Sequence, residues 1–425
     1  MQCRCAAPGH SHEAAAPGWR QRTVGASGGR AVKPLAVADF TLVSALGAGR
    51  AASTEALRQG RTGLVQRAFE SALLDSWIGV VEGLDAVTLP AALAAFDCRN
   101  NRLAELGLRC DGFDERVRAA ARRHGPQRVG LFLGTSSSGI LQTEMAYRQR
   151  DPSSGALPSW LRYGETHSMY SVVRYVRARL ELSGPAFVVS TACSSSAKVF
   201  ASAARMIDLG LIDAALVGGV DSLCMTTLYG FKSLELLSSD ICRPWDRRRN
   251  GLSLGEGAAF ALLERDAADP VAWLLGSGES SDGYHMSSPH PEGAGAVLAM
   301  RAALADAELA PSAVDYLNLH GTGTPNNDAI EDLAVCAVFG RELPCSSTKG
   351  CTGHTLGAAG GVEAAITMLA LQHGLVPAGL NLRQLDPALN VHYVREPRER
   401  LLSVAASNSF GFGGSNACLL FGAAQ

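Results

Sequence analysis

Five short, largely apolar runs most restrict what this chain can become: VGLFLG at Val129–Gly134, AFVVS at 186–190, AALVGGV at 214–220, VDYLNL at 314–319 and CLLF at 418–421. Each is too short for a stable helix. Runs of this length, bounded by polar loops, read as strands buried on both faces. Helical stretches alternate with them, as where residues 197–209 follow Thr191-Ala192-Cys193-Ser194-Ser195-Ser196. Strand, polar loop and helix in alternation predict an α/β fold with buried, largely parallel sheets. A first strand is expected at 35–40, then a glycine-containing turn at 44–49 and a helix capped by Ser53 or Thr54. The segment AADPV at 267–271 marks a boundary between residues 33–268 and 269–425. Residues 1–32 are rich in Gly, Ala and Arg and read as a disordered tail.

Composition excludes several classes of protein. The 425 residues hold 38 Lys+Arg against 40 Asp+Glu, a net charge of −2, which argues against nucleic-acid binding driven by a basic field. With 47% hydrophobic and 18% charged residues the chain can bury a core. No apolar run reaches the roughly 18 residues of a membrane span. The 11 cysteines are odd in number and scattered, and the start carries no export signal. Reduced thiols and a cytoplasmic protein are therefore expected. Cys3, Cys5, His10 and His12 do not have the spacing of structural zinc sites, so no metal is expected.

Four polar or glycine-rich patches adjoin the predicted elements: TACSSSA at 191–197, HGTGTPNND at 320–328, STKGCTGHTLGAAGG at 347–361 and NSFGFGGSN at 408–416. Cys193 falls where a strand hands over to a helix, and the free N–H groups and partial positive charge there favour a thiolate. A small buried cysteine at a helix start is the alternative. His320 and His354 stand in Gly/Thr-rich loops, where neutral imidazoles can donate to an oxyanion or act as acid or base. Lys349 could polarise such a site or pair with Glu363, and an ammonium buried there needs an anion. The glycines around Phe412 allow close ligand approach, with its N–H available to an oxyanion and its ring able to gate a pocket. Neither a dinucleotide fingerprint nor a phosphate-binding P-loop is present.

The four motifs together resemble the condensing enzymes of the thiolase superfamily, and more narrowly the β-ketoacyl-(acyl-carrier-protein) synthases I and II and polyketide ketosynthases. Arg243-Pro244-Trp245-Asp246, Gly255-Glu256-Gly257-Ala258 and 281–286 (SDGYHM) extend the resemblance from about residue 35 to 421. It implies a five-layered αβαβα fold of two pseudo-duplicated halves. It implies that Cys193 accepts an acyl group, that His320 and His354 assist decarboxylation of a malonyl thioester, and that the N–H groups of Cys193 and Phe412 form an oxyanion hole. Thr322 and Thr324 match residues that bind phosphopantetheine, and Lys349 and Glu363 match a supporting ion pair. Asn318, Glu363 and Ser407 match a monovalent-cation site of some members; no other cofactor is implied. Phe412 matches a gate, and 282–288 a mobile loop beside it. The implied partners are an acyl carrier protein and a second subunit, in a homodimer or in a heterodimer with a relative. Arg99, Arg102 and Arg247-Arg248-Arg249 are candidates for carrier docking, or simply solvated charge.

The implied activity is decarboxylative condensation in fatty-acid elongation. A ketosynthase of a polyketide or aryl-polyene pathway is the alternative, favoured by the serine-rich run after Cys193 and by a first strand without the usual Thr-Gly-x-Gly turn. A non-catalytic chain-length-factor-like partner would usually lack the cysteine.

Overall fold

A computed structural model describes residues 34–74 and 76–424. The expected tail, with Cys3, Cys5, His10 and His12, lies outside the described residues. Ten principal strands are β1 (Leu35–Ser44), β2 (Val129–Gly134), β3 (Ala186–Val189), β4 (Ala214–Asp221), β5 (Gly257–Glu264), β6 (Ala272–Ser281), β7 (Tyr316–Asn318), β8 (Pro344–Ser346), β9 (Val404–Gly411) and β10 (Ser415–Ala423). They lie in the order β3-β2-β4-β5-β1, then β6-β10-β9-β7-β8. Numbered within each set of five, both halves read 3-2-4-5-1, which is the expected pseudo-duplication. In each half the fifth strand runs antiparallel to its neighbours and the others pair in parallel. The halves meet where β1 pairs with β6, Leu35 opposite Leu274 and Val37 opposite Ala272.

Seven helices complete the layers: α1 (Arg99–Arg109), α2 (Phe113–His124), α3 (Ser171–Leu180), α4 (Ser195–Asp208), α5 (Ala294–Asp306), α6 (Pro325–Phe339) and α7 (Ala359–His373). α4 and α7 touch strands of both halves and each other, and so form the middle layer. Their core includes Phe200, Val199, Ile366, Leu369 and Phe421. α1, α2 and α3 cover the outer face of the first half around Phe113, Val117 and Tyr175. α5 and α6 cover the second around Met300, Leu317 and Val335. The αβαβα prediction holds. α7 has 13 buried residues, from Ala359 to Leu371, as a helix packed on all sides must.

Local differences have physical causes. The first strand runs past residue 40 to Ser44, because Thr41, Leu42 and Val43 continue the ladder with β5, and the expected turn follows at 45–46. Ser53 and Thr54 do not cap a helix. They lie inside a helix that starts at Arg50, whose N–H donates to the Asp111 carboxylate 61 residues away. Residues 267–271 link β5 to β6 within one compact unit.

Candidate active site

The chemistry-bearing residues all stand beyond the C-terminal ends of strands, where α/β sheets form ligand crevices. Cys193 follows β3 and His320 follows β7; Lys349 and His354 follow β8, and Phe412 follows β9. Cys193 and His354 thus occupy equivalent places, each after the third strand of its half. The glycines of GAAGG let these places meet. A Cβ on Gly360 would lie 2.7 Å from the Ala197 Cβ, so α7 approaches α4 as closely as backbone allows. The Gly361 N–H donates to Ser196 Oγ across this contact.

Cys193 is buried, with Sγ 3.0 Å from His354 Nε2. Ala192 before it has φ +53, a sharp turn that aims the thiol into the crevice. Burial pushes the thiol up to about 11, opposed by the Lys349 charge and the Phe412 N–H directed at the sulfur. The helix start expected to favour a thiolate therefore does not by itself leave Cys193 ionised.

Both histidine tautomers follow from their neighbours. The Leu356 N–H donates to His354 Nδ1 at 3.3 Å, so the ring proton sits on Nε2. Lys349 Nζ lies 3.2 Å from His320 Nδ1; an ammonium only donates, so His320 also carries its proton on Nε2. Lys349 Nζ donates further to the His320 carbonyl and to Glu363. Burial, then the Lys349 charge, holds both imidazoles well below the ordinary histidine range. They are neutral N–H donors at neutral pH. Burial pushes Glu363 up to about 7, against the pull of Lys349. The ligand atoms of Cys193, His320 and His354 lie within 4.8 Å of one another, close enough for a metal. With both Nε2 atoms protonated, neither ring offers a lone pair to one.

A cavity of about 330 Å³ reaches this trio. Cys193, His320, His354 and Phe412 line its floor, and Thr322 and Thr324 line its wall. The two threonine hydroxyls are 2.9 Å apart, and Thr324 caps α6. The Phe412 ring packs against Phe231 at 5.7 Å between centroids. Its loop is tied to the 282–288 loop by Gly413 N–H to Met286 O and Asp282 N–H to Gly414 O.

Sequence reasoning missed the buried acids behind the site. Glu331 accepts the N–H groups of His320 and Gly321. Asp328 accepts those of Trp245 and Gly323. The spacing NDxxE in α6 places both on one helix face, the only signal available beforehand. Two docking candidates are also corrected. The Arg99 side chain is largely covered and grips Glu256 with two nitrogens, while Arg249 is turned inward to Asp386. Arg102 pairs with Asp97; Arg247 and Arg248 are exposed.

A duplicated α/β layer structure with one cysteine and two N–H-donating histidines at the carboxyl ends of its strands defines a thiolase-like condensing acyltransferase. The family profiles described as beta-ketoacyl synthase, N-terminal domain, and beta-ketoacyl synthase, C-terminal domain, match residues 110–268 and 271–383. The chain is 39% identical to 3-oxoacyl-[acyl-carrier-protein] synthase 2 of Coxiella burnetii, over 69% of this chain and 75% of that one. It is 36% identical to nodulation protein E of Rhizobium meliloti, over 80% and 82%. A ketosynthase solved in complex with its chain length factor, from Xenorhabdus doucetiae, superposes with a TM-score of 0.83 at 35% identity, over 92% of this chain and 98% of that one. This chain belongs to the β-ketoacyl synthase family.

Proposed function

We propose that the protein extends carrier-bound acyl chains by decarboxylative Claisen condensation, with Cys193 as nucleophile. The Cys193 sulfur attacks a carrier thioester and keeps the acyl group, and the carrier sulfur leaves as a thiol with the cysteine's proton. This splits one difficult encounter into two steps. A malonyl thioester then lies with its arm against Thr322 and Thr324 and its carbonyl oxygen toward the two Nε2–H groups. Loss of CO2 leaves the electron pair on the α-carbon, its charge shared with that oxygen. The carbon attacks the acyl-Cys193 carbonyl, whose oxygen is met by the N–H groups of Cys193 and Phe412. Collapse expels the Cys193 sulfur, which takes up one proton. The observation that carries this reading is the fixed tautomer of both histidines, each presenting an N–H beside the thiol.

Fatty-acid elongation in the cytoplasm is the first pathway. A dedicated polyketide or polyene pathway with a related second subunit is the second reading, favoured by the likeness to a ketosynthase solved with its chain length factor. A two-subunit assembly is supported by β3, an edge strand with Phe187 52% exposed. An acidic carrier would meet the exposed cations Lys232, next in sequence to the cavity-lining Phe231, and Arg247 and Arg248, next to Arg249, which donates to the carbonyl of the cavity-lining Pro325. Asn318, Glu363 and Ser407 fit a monovalent cation, since Glu363 Oε2 and Ser407 Oγ are buried without a hydrogen-bond partner and Asn318 pairs with Ser407 in the sheet.

The test is intact-mass spectrometry with acyl-carrier thioesters followed by malonyl carrier, for the protein alone and with a co-expressed related subunit. An adduct on Cys193 that disappears as β-ketoacyl product forms is expected, and its preferred acyl group points to the pathway. Cys193→Ala should abolish condensation with an unchanged melting transition. Condensation retained by that variant removes Cys193 from the mechanism.

A further inference from the structure

The turn that sets the His354 tautomer is held by a carboxylate from the other half of the molecule. Asp221 ends β4 and is fully buried. A buried carboxylate is costly unless its oxygens are filled by donors. Those of Asp221 are filled from two directions. One is the loop after β2, through Thr135 Oγ1 at 2.7 Å, the Ser136 N–H and Oγ, and the Ser137 N–H and Oγ. The other is the Gly357 N–H, 2.6 Å from Oδ2.

Gly357 belongs to a strained turn. Leu356 has φ +54, a strained conformation for a leucine that persists only when the surroundings over-determine it. The Ala358 N–H closes the turn onto Thr355 O, and Asp221 pins the peptide that follows Leu356. In that turn the Leu356 N–H reaches His354 Nδ1. The His354 backbone is fixed independently, by Ser253 O and the Gly255 N–H, so the turn governs the ring rather than the chain.

We propose that Asp221 is a positioning residue for condensation: by holding the 355–357 turn it keeps His354 in the Nε2–H form that serves the malonyl thioester. This rests on the reading of His354 as an N–H donor. It separates the two half-reactions, because transfer of the acyl group to Cys193 depends less on that donor than decarboxylation does.

The experiment uses full-length protein, with its partner subunit if one proves necessary, labelled with 15N-histidine. Long-range 1H–15N spectra distinguish Nε2–H from Nδ1–H rings, and His354→Gln identifies the signal. Wild type should show His354 as Nε2–H. Asp221→Asn should populate the Nδ1–H form, lower kcat for condensation about tenfold or more, and leave KM for malonyl carrier and the Cys193 acylation rate within about threefold. Asp221→Glu, which keeps the charge but lengthens the arm, gives the same readout should Asp221→Asn not fold. A wild-type His354 in the Nδ1–H form, an unaltered tautomer in a folded Asp221 variant, or acylation and condensation falling in equal proportion overturns the proposal. A wild type that neither acylates nor condenses would instead overturn the functional reading above.

Discussion

Two neutral histidines buried beside a lysine make stability depend on pH. An unfolded histidine takes up a proton near pH 6.5. His320 and His354 resist it in the fold. Below about pH 6.5 the unfolded state therefore binds more protons, and the stability these residues contribute is lost as pH falls. Glu331 and Glu363, both pushed up to about 7 by burial, act in the opposite sense. They hold protons in the fold that the unfolded chain has released, so their contribution is present in acid and lost as pH rises toward 7. The pairs mask each other, and only a difference isolates the histidine. His320→Gln should make the slope of denaturation free energy against pH more negative between about pH 5 and 6.5, by up to about 1.4 kcal/mol per pH unit. An unchanged slope would mean that His320 is charged in the folded protein. Cys193, His320 and His354 were legible in the sequence because reactive residues in glycine-rich loops stand out. Asp221 and Glu331 were not. Each is one acid in ordinary surroundings, and only the folded neighbours reveal what its oxygens receive.

At the scale of elements, Arg99 shows how a surface-charge reading can fail. It opens α1 and spans to Glu256, which also accepts the N–H groups of Val81 and Leu223. Through β-ladder contacts of Leu254 with His354 and Gly255 with Gly79, this ion pair braces the segment beside His354. Arg99→Met should strand a buried carboxylate and destabilise the protein by about 3–5 kcal/mol. Chemical denaturation measures that loss, and carrier titration should show no matching loss of carrier affinity in the folded fraction. Reduced carrier affinity with native stability would restore Arg99 to the docking surface. The six strands named from the sequence lie within a few residues of their places in the fold, since burial on both faces leaves apolar runs, whereas β5, β6, β8 and β9 were not anticipated. Helix starts were less so: the group that receives the Arg50 N–H is Asp111, invisible to any local capping rule.

At the scale of the molecule, alternation gave the fold class, whereas the repeated 3-2-4-5-1 order appears only once strand neighbours are known. Sheet order depends on long-range pairing, which leaves no local period. The exposed edge β3 carries the next test. Phe187 stacks on Phe132 and faces outward. Phe187→Asp should convert the assembly to monomers in sedimentation and abolish condensation, with far-UV circular dichroism unchanged. A fully active monomer would refute the two-subunit reading. The seam strand β1 has a further consequence, for synthesis. It is made early, yet its long partners β5 and β6 begin more than 200 residues later, at Gly257 and Ala272. At about 5–20 residues per second the ribosome needs roughly 10–40 s to deliver them. Throughout that interval a ten-residue apolar strand has most of its length unpaired. A chain released near residue 268 would keep one edge of it open. An unpaired apolar strand of this kind is an aggregation hazard until the second half emerges.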